Sequence, residues 1–124
     1  VAYCQAFASA LADQGVRVAV VASQLGDNHN NSALERFRSG ELQVIVNMKY
    51  VAVGADFPSA NVALLLGPVG SPIMFEQMVG RIARGPAVGG KESATLADFD
   101  AHLAHHKGLQ GYSRWQGWWS SRKR

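Results

Sequence analysis

A chain of 124 residues that is 48% hydrophobic and 17% charged has the composition of one soluble globular domain with a sizeable core, which excludes a disordered chain and a disulfide-built one. The net charge of +3 and pI near 9.4 suit an anionic partner. Arg114, Arg122, Lys123 and Arg124 at the C-terminal end supply part of that excess, so charge alone does not establish nucleic-acid binding. The single cysteine, Cys4, excludes an internal disulfide and a cysteine-only zinc site and points to a reducing, cytoplasmic setting. No stretch approaches the roughly 20 apolar residues that cross a bilayer, and no basic segment precedes an apolar one at the start.

Taken in chain order, VAYC reads as a strand already under way, an abrupt opening that suggests a fragment of a longer protein. QAFASALADQ places Ala6, Phe7, Ala10 and Leu11 at helical spacing and ends at Gly15. VRVAVVA is a β-branched run suited to a buried parallel strand. SQLGDNHNN is a polar loop, after which Ser32 and Glu35 form a capping-box pattern that opens a short helix through Phe37 to Gly40. LQVIVN is the next strand, MKYVAVGADFPSA a structured loop containing Gly54 and Pro58, and NVALLL a further buried strand. Ser71 and Pro72 start a helix that runs to about Ala83 or Arg84, because Gly85 and Pro86 end it. SATLADF is the last strand, Asp100 to His106 a short helix, and YSRWQGWW an aromatic segment packed on the body.

Helices alternate with continuous apolar strands, which argues for an α/β fold: a three-layer parallel sheet with helices on both faces. In such sheets ligands gather at the loops after the carboxyl ends of the strands. On the helix from Ser71, Gln77, Arg81 and Arg84 stand at i, i+4 and i+7 and share one face, while Met74, Met78 and Ile82 line another. Gly80 costs that helix roughly 1 kcal/mol relative to alanine and lets another surface approach closely. Guanidinium groups one turn apart suit phosphate oxygens; the alternative is that both arginines are solvated or pair with Asp56 or Asp98. Spacing leaves both readings open.

The motifs resemble those of one family. QMVGRIARG resembles motif VI of superfamily 2 helicases, the Q-x-x-G-R-x-x-R signature, and VIVNMKYVAVGADFP resembles motif V with its G-x-D-x-P turn. VAYCQAFASALADQG resembles motif IV and its helix, ALERFRSGELQVIVN the segment between them, and GPAVGGKESATLADF and SRWQGWW the closing strand and aromatic ending of bacterial members. The likeness runs over roughly residues 1–119 in the right order. It implies the C-terminal RecA-like domain, of P-loop NTPase type, of a DEAD/DEAH-type helicase, over residues 1–107 with residues 108–124 as an appended aromatic and basic segment.

The resemblance further implies that Arg81 and Arg84 act as arginine fingers on the γ-phosphate of ATP. Gln77 and Gly80 would shape that cleft face, and Gly54 and Asp56 would form the motif V turn near the nucleotide. Gln5, in the loop after the first strand, and Asn47, Met48 and Lys49 would contact the nucleic-acid backbone. Motif V usually has Thr or Ser, and often Glu, just before its glycine, where this chain has Ala52 and Val53. Motif IV usually has Ser or Thr near Ala6, and an arginine usually stands where HNNS does. The nucleic-acid contacts thus rest on fewer matches than the ATP side.

Neither a G-x-x-x-x-G-K-[ST] phosphate loop nor a D-E-x-[DH] box occurs in the sequence, so ATP with Mg²⁺ is expected to be bound mainly by an N-terminal RecA-like domain, in cis or in trans. The chain alone is not expected to hydrolyse ATP. The expected role is that of a second motor domain acting on DNA ahead of RNA; the alternative is a non-catalytic RecA-like module that binds nucleic acid or protein.

Other features carry ordinary readings. His102, His105 and His106 with Asp98 and Asp100 lack a second ligand cluster and are read as a polar helix edge, so no metal site is expected. Cys4 is read as a buried strand-end residue, and Gly89 and Gly90 as a flexible turn. Tyr112, Trp115, Trp118 and Trp119 are read as packing, and the SRKR end as a solvated tail.

Overall fold

The computed structural model describes residues 1–48, 59–66, 77–78, 80–81, 86–89 and 91–98. They fall in two compact units, Val1–Ala55 and Asp56–Arg124. The expected boundary at residue 107 and the C-terminal segment beyond it lie outside the described residues.

The first unit opens on a helix, α1 (Ala2–Asp13), where VAYC had suggested a strand. Four apolar residues suit either state. The register of the following turns decides for helix, because Cys4, Ala8 and Leu11 recur at i, i+4 and i+7 and form one stripe against the sheet. The interspersed Ala2, Ala6, Ala10 and Ala12 have the highest helix propensity. Cys4 is buried, as expected, but in a helix. The helix ends at Gly15, whose φ of 79° lies in the left-handed region. There the Gly15 N–H donates to Ala12 C=O at 2.9 Å and the Val16 N–H to Leu11 C=O at 3.1 Å, satisfying carbonyls the helix end leaves open.

β1 (Val18–Val21) pairs in parallel with β2 (Val44–Asn47), Val18 opposite Val44 and Val21 opposite Asn47. Alternation gives each face its own helix. Val18, Val20, Val44 and Val46 pack with the Cys4 stripe of α1. The other face carries Val21, wholly buried, and takes α2 (Asp27–Arg38), whose buried Ala33 and Leu34 stand apart from the α1 cluster. Burying one such valine is worth roughly 1.5–3 kcal/mol.

Where the two strands begin, the chain ties itself together. The Arg17 N–H donates to Gln43 Oε1 at 3.1 Å, the Gln43 N–H to Arg17 C=O at 2.8 Å, and Arg17 Nε to Glu41 C=O at 2.7 Å. Two exposed ion pairs, Arg36–Glu41 at 2.7 Å and Arg38–Glu35 at 2.5 Å, stand at the C-terminal end of α2. Pairs so exposed contribute at most about 1 kcal/mol each.

α2 begins at Asp27, five residues ahead of the expected Ser32 cap. Glu35 pairs with Arg38 instead of capping, and the second half of the stretch read as polar loop, DNHNN, is the helix's first turns, while Ser23–Leu25 forms a 3-10 turn ahead of it. The start is set by Gly26, whose φ of 79° and ψ of 156° are open essentially to glycine alone. Its carbonyl receives the Asn30 N–H at 3.1 Å. A Cβ added at Gly26 would meet nothing within 4 Å, so the whole penalty of a substitution is backbone strain. Gly26→Ala is therefore expected to lower the free energy of unfolding by roughly 1–3 kcal/mol, measured by urea denaturation; an unchanged midpoint would show that the loop relaxes into another conformation.

In the second unit β3 (Val62–Leu65) pairs in parallel with β4 (Thr95–Asp98), Val62 opposite Thr95 and Leu65 opposite Asp98. The Thr95 N–H donates to Asn61 C=O at 2.8 Å, and Lys91 Nζ donates to Asn61 Oδ1. Leu65 and Ala60 are buried, whereas Val62, Leu64 and Leu66 are about half exposed. Pro86–Val88 forms a 3-10 turn closed at Gly89, φ 80°, ahead of β4 where a turn was expected; Gly90 lies outside the described residues. Strands are parallel in both units, as the continuous apolar runs require.

Candidate functional site

Gln77, Met78, Gly80 and Arg81 are helical, as the Ser71–Pro72 start predicts. Gln77 and Arg81 stand one turn apart and share a face. Gln77 and Gly80 are exposed, Met78 and Arg81 half-buried. A Cβ at Gly80 would meet no atom within 4 Å, so the helix shows an open, low patch beside the half-buried Arg81. No ion pair of Arg81 forms among the described residues. A guanidinium presents a planar set of donors that suits an incoming oxyanion. Arg84, Gly54 and Asp56 lie outside the described residues.

The first unit gathers the other candidates at one edge. Asn47 ends β2 and, with Met48, is exposed. α1 returns into β1 through the turn at Gly15, and its Cys4 and Ala8 pack on Val46, which sets the first turns of α1 toward the end where β1 and β2 finish. Gln5 is exposed there, but on a helix and not in a loop after a strand, so the placement expected for it is corrected. Lys49 lies outside the described residues.

Two residues that the sequence reading passed over sit at the same edge. Asn30 is wholly buried; its Nδ2 donates to Ala22 C=O at 2.8 Å and its Oδ1 accepts the Ala22 N–H at 3.1 Å. His29 Nε2 donates to Val20 C=O at 3.0 Å. The signal was available: once α2 starts at Asp27, Asn30, Ala33 and Leu34 fall at i, i+3 and i+4 on the buried stripe. HNNS, noted for lacking an arginine, thus lies inside the helix and supplies the clamp on the strand end.

Among the described residues no group of three or more His, Cys, Asp or Glu side chains converges as metal ligands, and no helix is long and apolar enough to cross a membrane. His102, His105 and His106 lie outside the described residues, as does every tryptophan.

A model of the helicase conserved C-terminal domain family matches residues 1–86. Among curated proteins, the DNA 3'-5' translocase XPB2 of Sulfurisphaera tokodaii is 34% identical over 67 residues, 54% of this chain and 15% of its own length. The ATP-dependent DNA helicase RecG of Mycobacterium leprae is 34% identical over 71 residues, 56% of this chain and 10% of its own. The ATP-dependent RNA helicase rok1 of Aspergillus niger is 31% identical over 74 residues, 60% of this chain and 10% of its own. The chain therefore spans a small part of the relatives it matches. Among solved structures, the C-terminal domain of the DEAD-box protein Dbp5 aligns with a TM-score of 0.63 at 18% identity, covering 93% of this chain and 63% of that one. That likeness shows the fold, α/β and RecA-like. The matched family region stops at residue 86, ahead of β4 and the aromatic segment.

Proposed function

The chain belongs to the helicase conserved C-terminal domain family, and from that premise we propose that it is the second motor domain of an ATP-dependent nucleic-acid helicase or translocase, working on DNA ahead of RNA in the cytoplasm. The observation that carries the reading is the helical pair Gln77 and Arg81, on one face beside the open Gly80 patch, with the Arg81 guanidinium unpaired among the described residues. At Gly80 no side chain stands in the way of a second domain closing onto the helix.

Arg81 and Arg84 act as the arginine fingers of the motif, bringing fixed positive charge to the terminal phosphate as negative charge develops there. Gln77 and Gly80 shape the face on which the nucleotide-bearing domain closes, and Gly54 and Asp56 form the turn that links nucleotide to nucleic acid. Gln5, Asn47, Met48 and Lys49 hold the nucleic-acid backbone. The donor set fits one side of ATP with Mg²⁺: cations for a phosphate are present, whereas a phosphate loop and a metal-binding carboxylate box do not occur in this sequence. Bound ATP supplies the phosphoryl group whose hydrolysis drives opening and closing; this chain orients charge toward it and excludes water by closure.

The test is complementation. Joined to an N-terminal RecA-like domain carrying the phosphate loop, the chain is expected to give ATP turnover stimulated by single-stranded nucleic acid, with neither half active alone. A pair that binds nucleic acid but shows no ATP turnover would favour the non-catalytic module.

A further inference from the structure

We infer that Asn30 is a positioning residue for nucleic-acid binding, holding the β1–α2 loop (residues 22–26) on the edge that carries Asn47 and Met48, so that Ser23 and Gln24 join the nucleic-acid track. The inference rests on the helicase reading above.

The geometry is that of a short strand added to the sheet. A primary amide offers the donor and acceptor of a peptide group, and Asn30 uses both on one residue, taking the Ala22 N–H at 3.1 Å and giving a hydrogen to Ala22 C=O at 2.8 Å. These are the bonds a neighbouring strand would make, placed where β1 stops. His29 Nε2 on Val20 C=O fastens the strand two residues earlier. The Leu25 N–H also reaches Ala22 C=O, at 3.0 Å, closing the 3-10 turn Ser23–Leu25 before the chain leaves through Gly26. The exit of the loop is thus fixed at both ends.

Stability by itself does not call for this arrangement. A buried amide must be desolvated and returns little over an apolar side chain of the same size, whereas a fully satisfied buried polar group specifies one geometry. What Asn30 specifies is the departure of the loop. Val21 lies opposite Asn47 in the parallel register, so Ala22 and the turn leave the sheet next to Met48. Ser23 and Gln24 are exposed there, with Ser23 Oγ bonded to Gln24 Oε1 at 3.2 Å. Hydroxyl and amide groups of this kind make the neutral phosphate and sugar contacts that position a strand without reading its sequence. The ion pairs of α2 stand at its other end, away from the path.

The experiment uses the two-domain protein and fluorescence anisotropy with single-stranded oligothymidylate and oligouridylate, taking the oligonucleotide that wild type binds more tightly. Asn30→Asp keeps the acceptor for the Ala22 N–H and loses the donor. Gln24→Glu leaves the clamp intact and puts a negative charge on the exposed loop. Each is expected to weaken binding about tenfold, the scale of one lost or opposed polar contact. Ala33→Gly, which loosens the same helix without touching the loop, is expected to bind as wild type although its melting temperature falls.

Wild-type affinity in Gln24→Glu, or in a folded Asn30→Asp, overturns the inference. So does weakening in Ala33→Gly in proportion to lost stability. If Asn30→Asp fails to fold, Gln24→Glu decides. A wild type that binds neither oligonucleotide overturns the helicase reading as well, whereas a binding wild type with unaffected variants overturns only this inference.

Discussion

Arg81→Ala in the two-domain protein is expected to reduce nucleic-acid-stimulated ATP turnover by roughly 10³-fold or more, the range in which arginine fingers act. The size follows from where the charge is used. A guanidinium aimed at a phosphate in a closed, water-poor cleft stabilises charge that exists only in the transition state, so its loss falls on kcat. Folding should be spared, because Arg81 is only half-buried and forms no ion pair among the described residues. Arg81→Lys is expected to recover little, since an ammonium lacks the planar donor pair. Steady-state turnover at saturating ATP, with a melting curve on the same preparation, checks both halves; turnover within a few-fold of wild type would make Arg81 an ordinary surface residue.

Leu34→Ala is expected to lower the free energy of unfolding by about 2–5 kcal/mol, the largest stability effect among these variants. Leu34 is 6% exposed and lies on the α2 stripe that covers the inner face of β1 and β2. Removing most of its side chain loses burial and leaves a cavity between a helix and a sheet that cannot easily collapse. Tyr3→Ala is the control: Tyr3 is 85% exposed on α1, and surface changes of that kind stay within about 0.5 kcal/mol. Urea unfolding of both variants tests the packing directly. Similar small losses in the two would mean that α2 does not close on the sheet as described.

Much of the arrangement was legible from local chemistry. β-branched runs marked β1 and β2, Gly15 marked the end of α1, and the spacing of Gln77 and Arg81 put both on one helix face. The motif order pointed to the same family that matches residues 1–86. The misreadings have separate causes. VAYC was too short to show a period, so its four residues fitted a strand until the packing of Cys4 and Ala8 against Val46 made them a helix. Gln5 moved with them.

α2 was harder to place because its first turns are polar. DNHNN has no apolar stripe, and Ser32 with Glu35 offered a local capping pattern. What starts the helix at Asp27 is a backbone conformation at Gly26 and a side chain, Asn30, whose partner Ala22 lies eight residues back at the end of a strand. Hydrophobic period cannot register a buried amide, since the residue reads as surface wherever its partner is unknown.

By itself, then, the sequence determined the alternation of helices with parallel strands, the face shared by Gln77 and Arg81, and the membership that follows from ordered motifs, because each depends on spacing within one short segment. The tertiary structure alone decided that the chain opens on a helix, that α2 begins at Asp27, and that Asn30 clamps the end of β1. Those outcomes depend on contacts between segments, where burial and satisfied hydrogen bonds outweigh local preference.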